Sequence, residues 1–251
     1  MGLTFEPLVF SEKSKKRSDF ASIGADDVHV YGFLLDMGTV ECVNAVRVLS
    51  DEERARADRL VSDLHRSHFI AAHAGLRLIL SRYSTGCPNE LTIHKSGKGK
   101  PFLPDSPSIR FNLTHSHGRA LIAVAKDQEV GIDLEKICPE VDVLSLARRF
   151  LSNRDITFIE SGEPGLHHQR FLHAWVAREA VCKAAGTGMT FPLHGDHLEL
   201  SRDGTEGYLI LGDGKADGAI RPVRFLPLEP GWVGAVSAAR TNWNVVYGCV
   251  P

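Results

Sequence analysis

The sequence predicts an α+β chain in two halves, each combining helices with a small antiparallel sheet. Three observations predict it. Helix-period text and short strand-like text come in blocks and do not alternate. The links between several neighbouring strand segments are too short to hold a crossover helix. Finally, 251 residues with 43% hydrophobic and 24% charged side chains suffice for two modest cores without disulfide staples.

In chain order, residues 1–27 carry the basic cluster Lys13, Lys15, Lys16 and Arg17 among serines and read as a loosely held arm. The two halves then occupy 28–126 and 127–251. Ser50, followed at once by acids, reads as a helix start, and apolar residues at helical spacing carry one or two helices to about Tyr83. Gly86 and Pro88 end them. LTIHK, IRFNLT, RALIAVA and EVGIDLEKI follow as strands, the last three as antiparallel neighbours, with the loop SGKGKPFLPDSP after the first. Helical text resumes at VLSLARRFLSNRDITFIE and, beyond SGEPGL, at HHQRFLHAWVAREAVCKAAGTG, whose glycines suit a helix C-terminus. A mobile loop is expected around residues 152–168. HLELSRDGTEGYLIL, with an Asp203-Gly204 turn, then RPVRFLPL, GWVGAVSAA and NWNVVYG complete the chain as strands. No residue-level repeat links the halves.

With 29 basic and 31 acidic side chains, formal net charge is -2, which excludes a surface built throughout to neutralise nucleic acid. Five scattered cysteines without a C-x-x-C pair suggest neither a disulfide framework nor a zinc knuckle and fit a reducing compartment. No run approaches the ~20 apolar residues of a membrane span, and the N-terminus lacks the order of a secretory signal. Glu6 stands where N-myristoylation wants Ser or Thr, so no lipid anchor is supported. A cytoplasmic protein is expected.

In Gly131-Ile132-Asp133-Leu134-Glu135, strand period puts Asp133 and Glu135 on one face about 7 Å apart, with Val130, Ile132 and Leu134 on the other. Two carboxylates aimed at one point suit a hard divalent cation with phosphate oxygens; an exposed polar edge is the plainer reading of the pentapeptide alone. The helical text at 171–185 is apolar over more than half its wheel, so Glu179 needs a cation, either Lys183 one turn on or a shared metal. Phe111-Asn112-Leu113-Thr114-His115-Ser116-His117 offers donors for phosphate, as do Lys98 and Lys100. It also reads as a capped turn. A further reading sets His115 and His117 with Asp133 or Glu135 as a two-histidine, one-carboxylate iron site.

Taken in order, GKP at 99–101, FNLTHS at 111–116, GIDLE at 131–135 and WVAREAVCK at 175–183 resemble the 4'-phosphopantetheinyl transferases of the large, surfactin-synthetase-activating type. The resemblance covers most of the chain from about residue 50 to 190. It implies a pseudo-dimer of two similar α+β halves with the active site between them. It also implies transfer of the phosphopantetheine arm of coenzyme A to a serine of an acyl or peptidyl carrier protein; because the chain already contains both halves, a monomer is expected, and charge and hydropathy point to neither nucleic acid nor membrane as a partner. By resemblance, Asp133, Glu135 and Glu179 ligate Mg²⁺, with Mn²⁺ as a substitute. Thr114, His115 and Lys100 hold the 3'-phosphate and neighbouring groups of coenzyme A, helped by Arg56 and Arg66, and Lys183 contacts its phosphates. Glu179 is the candidate base. Three residues depart from the pattern: Thr114 for serine, Arg178 for lysine and His117 for glycine. The competing reading from another class is a non-catalytic protein that binds coenzyme A or a carrier; retention of every acid counts against it.

Overall fold

The computed structural model describes Leu3 and residues 22–188, 195–212 and 220–248. Most of the expected arm lies outside the described residues, although Leu3 is buried against the core between the two sheets. The first sheet takes β1 (Asp27–Leu34), β4 (Ile109–Ser116), β5 (Arg119–Lys126) and β11 (Asn244–Gly248) in the order β11-β1-β5-β4. The second takes β6 (Val130–Lys136), β7 (His197–Leu200), β8 (Glu206–Ile210), β9 (Ile220–Phe225) and β10 (Trp232–Ala238) in the order β6-β10-β9-β8-β7. Between Lys95 and Pro101 the Gly/Lys loop closes a small ladder of β2 (His94–Lys95) and β3 (Pro101–Phe102).

Period-two alternation assigns the faces. In β5, Ala120, Ile122 and Val124 pack under α3 (Asp63–Leu80), whereas Leu121, Ala123 and Ala125 face the second sheet. There they meet Val130, Ile132 and Leu134 of β6. The odd face of β6, carrying Gly131, Asp133 and Glu135, is left for α6 (His167–Ala185). Gly131 is the reason α6 can lie so close. A Cβ built there would stand 2.0 Å from the carbonyl oxygen of Ala180 and 2.3 Å from the nitrogen of Ala184.

Several local signals behave as expected. Ser50 caps α2 (Asp51–Asp58) in a reciprocal box with Glu53, and Gly186, with φ 64°, ends α6 in left-handed backbone. Other elements differ from the sequence reading. The helical text at 143–160 forms two helices, α4 (Val143–Phe150) and α5 (Asn153–Glu160), because Ser152 interrupts it and caps the second; the loop expected around 152–168 thus begins with helix. β5 and β6 do not pair as neighbours; Asp127, with φ 53°, turns the chain from one sheet to the other. The sequence reading assigns no element between residue 27 and Ser50, where the structure has β1, buried on both faces along its middle, and α1 (Thr39–Val48). The last strand, β11, pairs parallel with β1, so a division at residue 127 assigns it to a half whose sheet it does not join.

Candidate active site

β4 and β6 face each other where the two sheets meet, and alternate side chains of β4 bridge them. Asn112 Oδ1 accepts from the Ile132 amide at 2.9 Å, Thr114 Oγ1 donates to Asp133 Oδ1 at 3.1 Å, and Ser116 Oγ donates to Glu135 Oε2 at 3.0 Å. The sequence motif points to Thr114 and His115. Asn112 and Ser116 share the strand parity of Thr114, and that parity was the available signal.

Asp133 is the centre of the arrangement. It is 3% exposed, and its Oδ1 receives Lys183 Nζ from α6 at 2.5 Å. Its Oδ2 is buried without a partner. Glu135 and Glu179 border the same space. Burial first, and then the charge of Asp133, hold the Glu135 carboxyl above the usual carboxylate range. Burial likewise raises Glu179; Lys183 opposes the shift, while Asp133 and Glu135 add to it. Lys183, sought one turn along the helix as a partner for Glu179, thus makes its ion pair with Asp133. Three carboxylates share one cationic side chain.

That excess of negative charge, with an orphaned buried carboxylate oxygen, fits a divalent cation. Among the described residues no three His, Cys, Asp or Glu side chains close a metal site by themselves. A Mg²⁺ site does not require it, since that ion is commonly held by one or two carboxylates, waters and substrate phosphates. The iron reading fails on geometry. β4 ends at Ser116, and His117 sits in the following turn at φ 42°, so the two histidines do not alternate on one strand face.

The other sequence-predicted residues are less uniform. His115 opens to solvent on one side. Desolvation by the protein packed around it, followed by electrostatic effects of His68, His73 and Lys183, holds its pKa below the usual histidine value. Arg56 lines a cavity of about 230 Å³ with Lys95, His73 and Asn112. Glu53 at its wall stays ionised: burial opposes the charge, but bonds from His73, Arg77 and Ser50 outweigh it and hold the pKa at about 2. Arg66 instead bonds the Leu60 carbonyl at 2.7 Å, which anchors the link between α2 and α3. Lys100 is not brought to the acids either. Its ammonium donates to the carbonyls of Ala184 at 2.6 Å and Val130 at 3.1 Å and pairs with Glu129 at 2.6 Å, capping the C-terminus of α6. Arg178 is fully buried and ion-paired with Asp155, itself 1% exposed, and it also donates to the Asp196 carbonyl at 2.7 Å. A second cavity, of about 280 Å³, adjoins Glu135 and is lined by His117, Cys138, Leu146, Phe171 and Trp175.

A family model described as the 4'-phosphopantetheinyl transferase superfamily matches residues 129–221, the segment that carries Asp133, Glu135, Glu179 and Lys183. The 4'-phosphopantetheinyl transferase HetI of Nostoc sp. is 34% identical over 168 residues, covering 66% of this chain and 71% of the relative. The chain belongs to the 4'-phosphopantetheinyl transferase superfamily. The transferase is also similar to the 4'-phosphopantetheinyl transferase Sfp of Bacillus subtilis, 28% identical over 85% of this chain and 93% of that protein. A human L-aminoadipate-semialdehyde dehydrogenase-phosphopantetheinyl transferase is 26% identical over 64% of this chain and 56% of its own length.

Proposed function

We propose that this transferase moves the phosphopantetheine arm of coenzyme A onto a serine hydroxyl of an apo acyl or peptidyl carrier protein, with Mg²⁺ held by Asp133, Glu135 and Glu179. The observation that carries the reading is the unpartnered, buried Oδ2 of Asp133 beside two further carboxylates and a single lysine. Bound there, Mg²⁺ or Mn²⁺ would neutralise the pyrophosphate oxygens of coenzyme A. Thr114 orients Asp133, Ser116 orients Glu135, and Lys183 supplies a fixed positive charge to the phosphates.

In the reaction the serine oxygen forms a bond to the β-phosphorus of coenzyme A. The bond from that phosphorus to the bridging oxygen breaks, and 3',5'-adenosine bisphosphate leaves. The serine proton passes to Glu179, which burial makes a stronger base than an ordinary carboxylate. The cavity with Arg56, His73 and Lys95 takes the phosphorylated nucleotide end, and the apolar groove beside Glu135 takes the arm. Lys100 serves this site by securing the end of α6. The reading extends to a monomer of two related halves, 28–126 and 127–251 with its last strand β11 returned to the first sheet, working in the cytoplasm without nucleic acid or membrane. Among the described residues no helix is long and apolar enough to cross a membrane.

The test is intact-mass spectrometry of apo carrier proteins incubated with the protein, coenzyme A and Mg²⁺. A gain of about 340 Da, the mass of the transferred arm, that disappears with EDTA is the expected result. Absence of any gain on fatty-acid, polyketide and peptide carriers alike, with coenzyme A bound, overturns the proposal in favour of a non-catalytic binder.

A further inference from the structure

Two residues, His117 and Gly118, join β4 to β5, and both have positive φ, 42° and 77°. Two-residue hairpin turns with positive φ at both positions favour Asn-Gly, and a histidine adopts this backbone against its preference. Contacts from the second sheet compensate. His117 Nε2 lies 3.8 Å from Cys138 Sγ, and the ring meets Trp232 edge-on at 6.4 Å between centroids. Trp232 is covered in turn by the Arg119 guanidinium at 4.4 Å. The turn is therefore pinned across the junction of the two sheets.

The other ring nitrogen, Nδ1, lies 2.9 Å from Ser116 Oγ. A hydroxyl has one proton, and Ser116 gives it to Glu135 Oε2. The bond between His117 and Ser116 must then run from Nδ1–H to the serine oxygen; in that tautomer of the neutral ring the Nε2 lone pair faces the Cys138 thiol. Donors run in one direction: thiol to imidazole, imidazole to hydroxyl, hydroxyl to carboxylate.

We infer that His117 is a positioning residue for Glu135. By donating to Ser116 it commits the serine proton to Glu135 and holds that carboxylate in the orientation a divalent cation needs. This rests on the reading of Asp133, Glu135 and Glu179 as the cation site.

The experiment measures Mn²⁺ binding by loss of the free-ion EPR signal, with coenzyme A present, in the native protein and in His117→Gly, His117→Asn and Asp133→Ala. Glycine and asparagine both suit the turn, so neither variant should melt below the native protein. Asparagine keeps an N–H close to the position of Nδ1. Partners that orient metal ligands typically govern affinity by an order of magnitude or more, and one step further out His117→Gly should weaken Mn²⁺ about fivefold, with His117→Asn within about twofold of native. Asp133→Ala should abolish binding. Native affinity in His117→Gly, or equal weakening in the asparagine variant, overturns the inference while leaving the proposed function standing. Failure of the native protein itself to bind Mn²⁺ removes the cation site, and this inference with it.

Discussion

Replacing Gly131 by alanine tests whether the close approach of α6 to β6 assembles the site. The added Cβ would stand 2.0 Å from the Ala180 carbonyl oxygen, where ordinary contact begins at 3.4 Å, so the helix must retreat by about 1.4 Å. The obstructing atoms are backbone, and no side-chain rotation relieves them. Glu179 and Lys183 travel with the helix. The bond from Lys183 to Asp133, now 2.5 Å, opens to about 4 Å, beyond hydrogen-bonding distance. Overpacking of this kind costs about 1–3 kcal/mol, which a stability of about 5–15 kcal/mol survives. Displacing catalytic groups by about 1 Å costs on the order of 100-fold in rate. Gly75→Ala is the control: it overpacks the other core, against the Phe33 ring at 2.5 Å, away from the acids. Both variants should melt several degrees early, and initial rates of carrier modification should fall only for Gly131→Ala. A native rate in Gly131→Ala, or an equal rate loss in Gly75→Ala, refutes the argument.

Two further outcomes follow from the charges. Glu179 has a raised carboxyl pKa from burial and from Asp133 and Glu135, so its ionisation penalises the metal-free fold above that pKa and not below the unfolded value. Glu179→Gln should therefore raise the melting temperature of EDTA-treated protein at pH 7 while abolishing transfer. The gain should shrink as pH falls into the ordinary carboxylate range, and a gain independent of pH would contradict this cause. Lys100→Met removes the cap on α6 and should cost about 1–3 kcal/mol in thermal or denaturant unfolding. It should also weaken coenzyme A and its 3'-dephospho form equally; a loss confined to coenzyme A would instead place Lys100 at the 3'-phosphate.

The acids and their parity are legible in the sequence alone. In GIDLE the period of two dictates that Asp133 and Glu135 share a face opposite Ile132 and Leu134, and that holds whatever packs on either side. Ser50 and Gly186 were equally legible, because a cap acts within a few residues of itself. Which groups answer those carboxylates depends on the packing of distant segments. The partner of Lys183 proved to be Asp133, 50 residues away, and not Glu179 one turn along the helix. Arg178 turned inward to Asp155, Lys100 to the end of α6, and β11 to the first sheet. Local periodicity reports the direction a side chain takes from its own backbone. The group it meets depends on how distant segments bury their apolar faces together, and here that depends on a glycine whose missing Cβ lets α6 lie against β6.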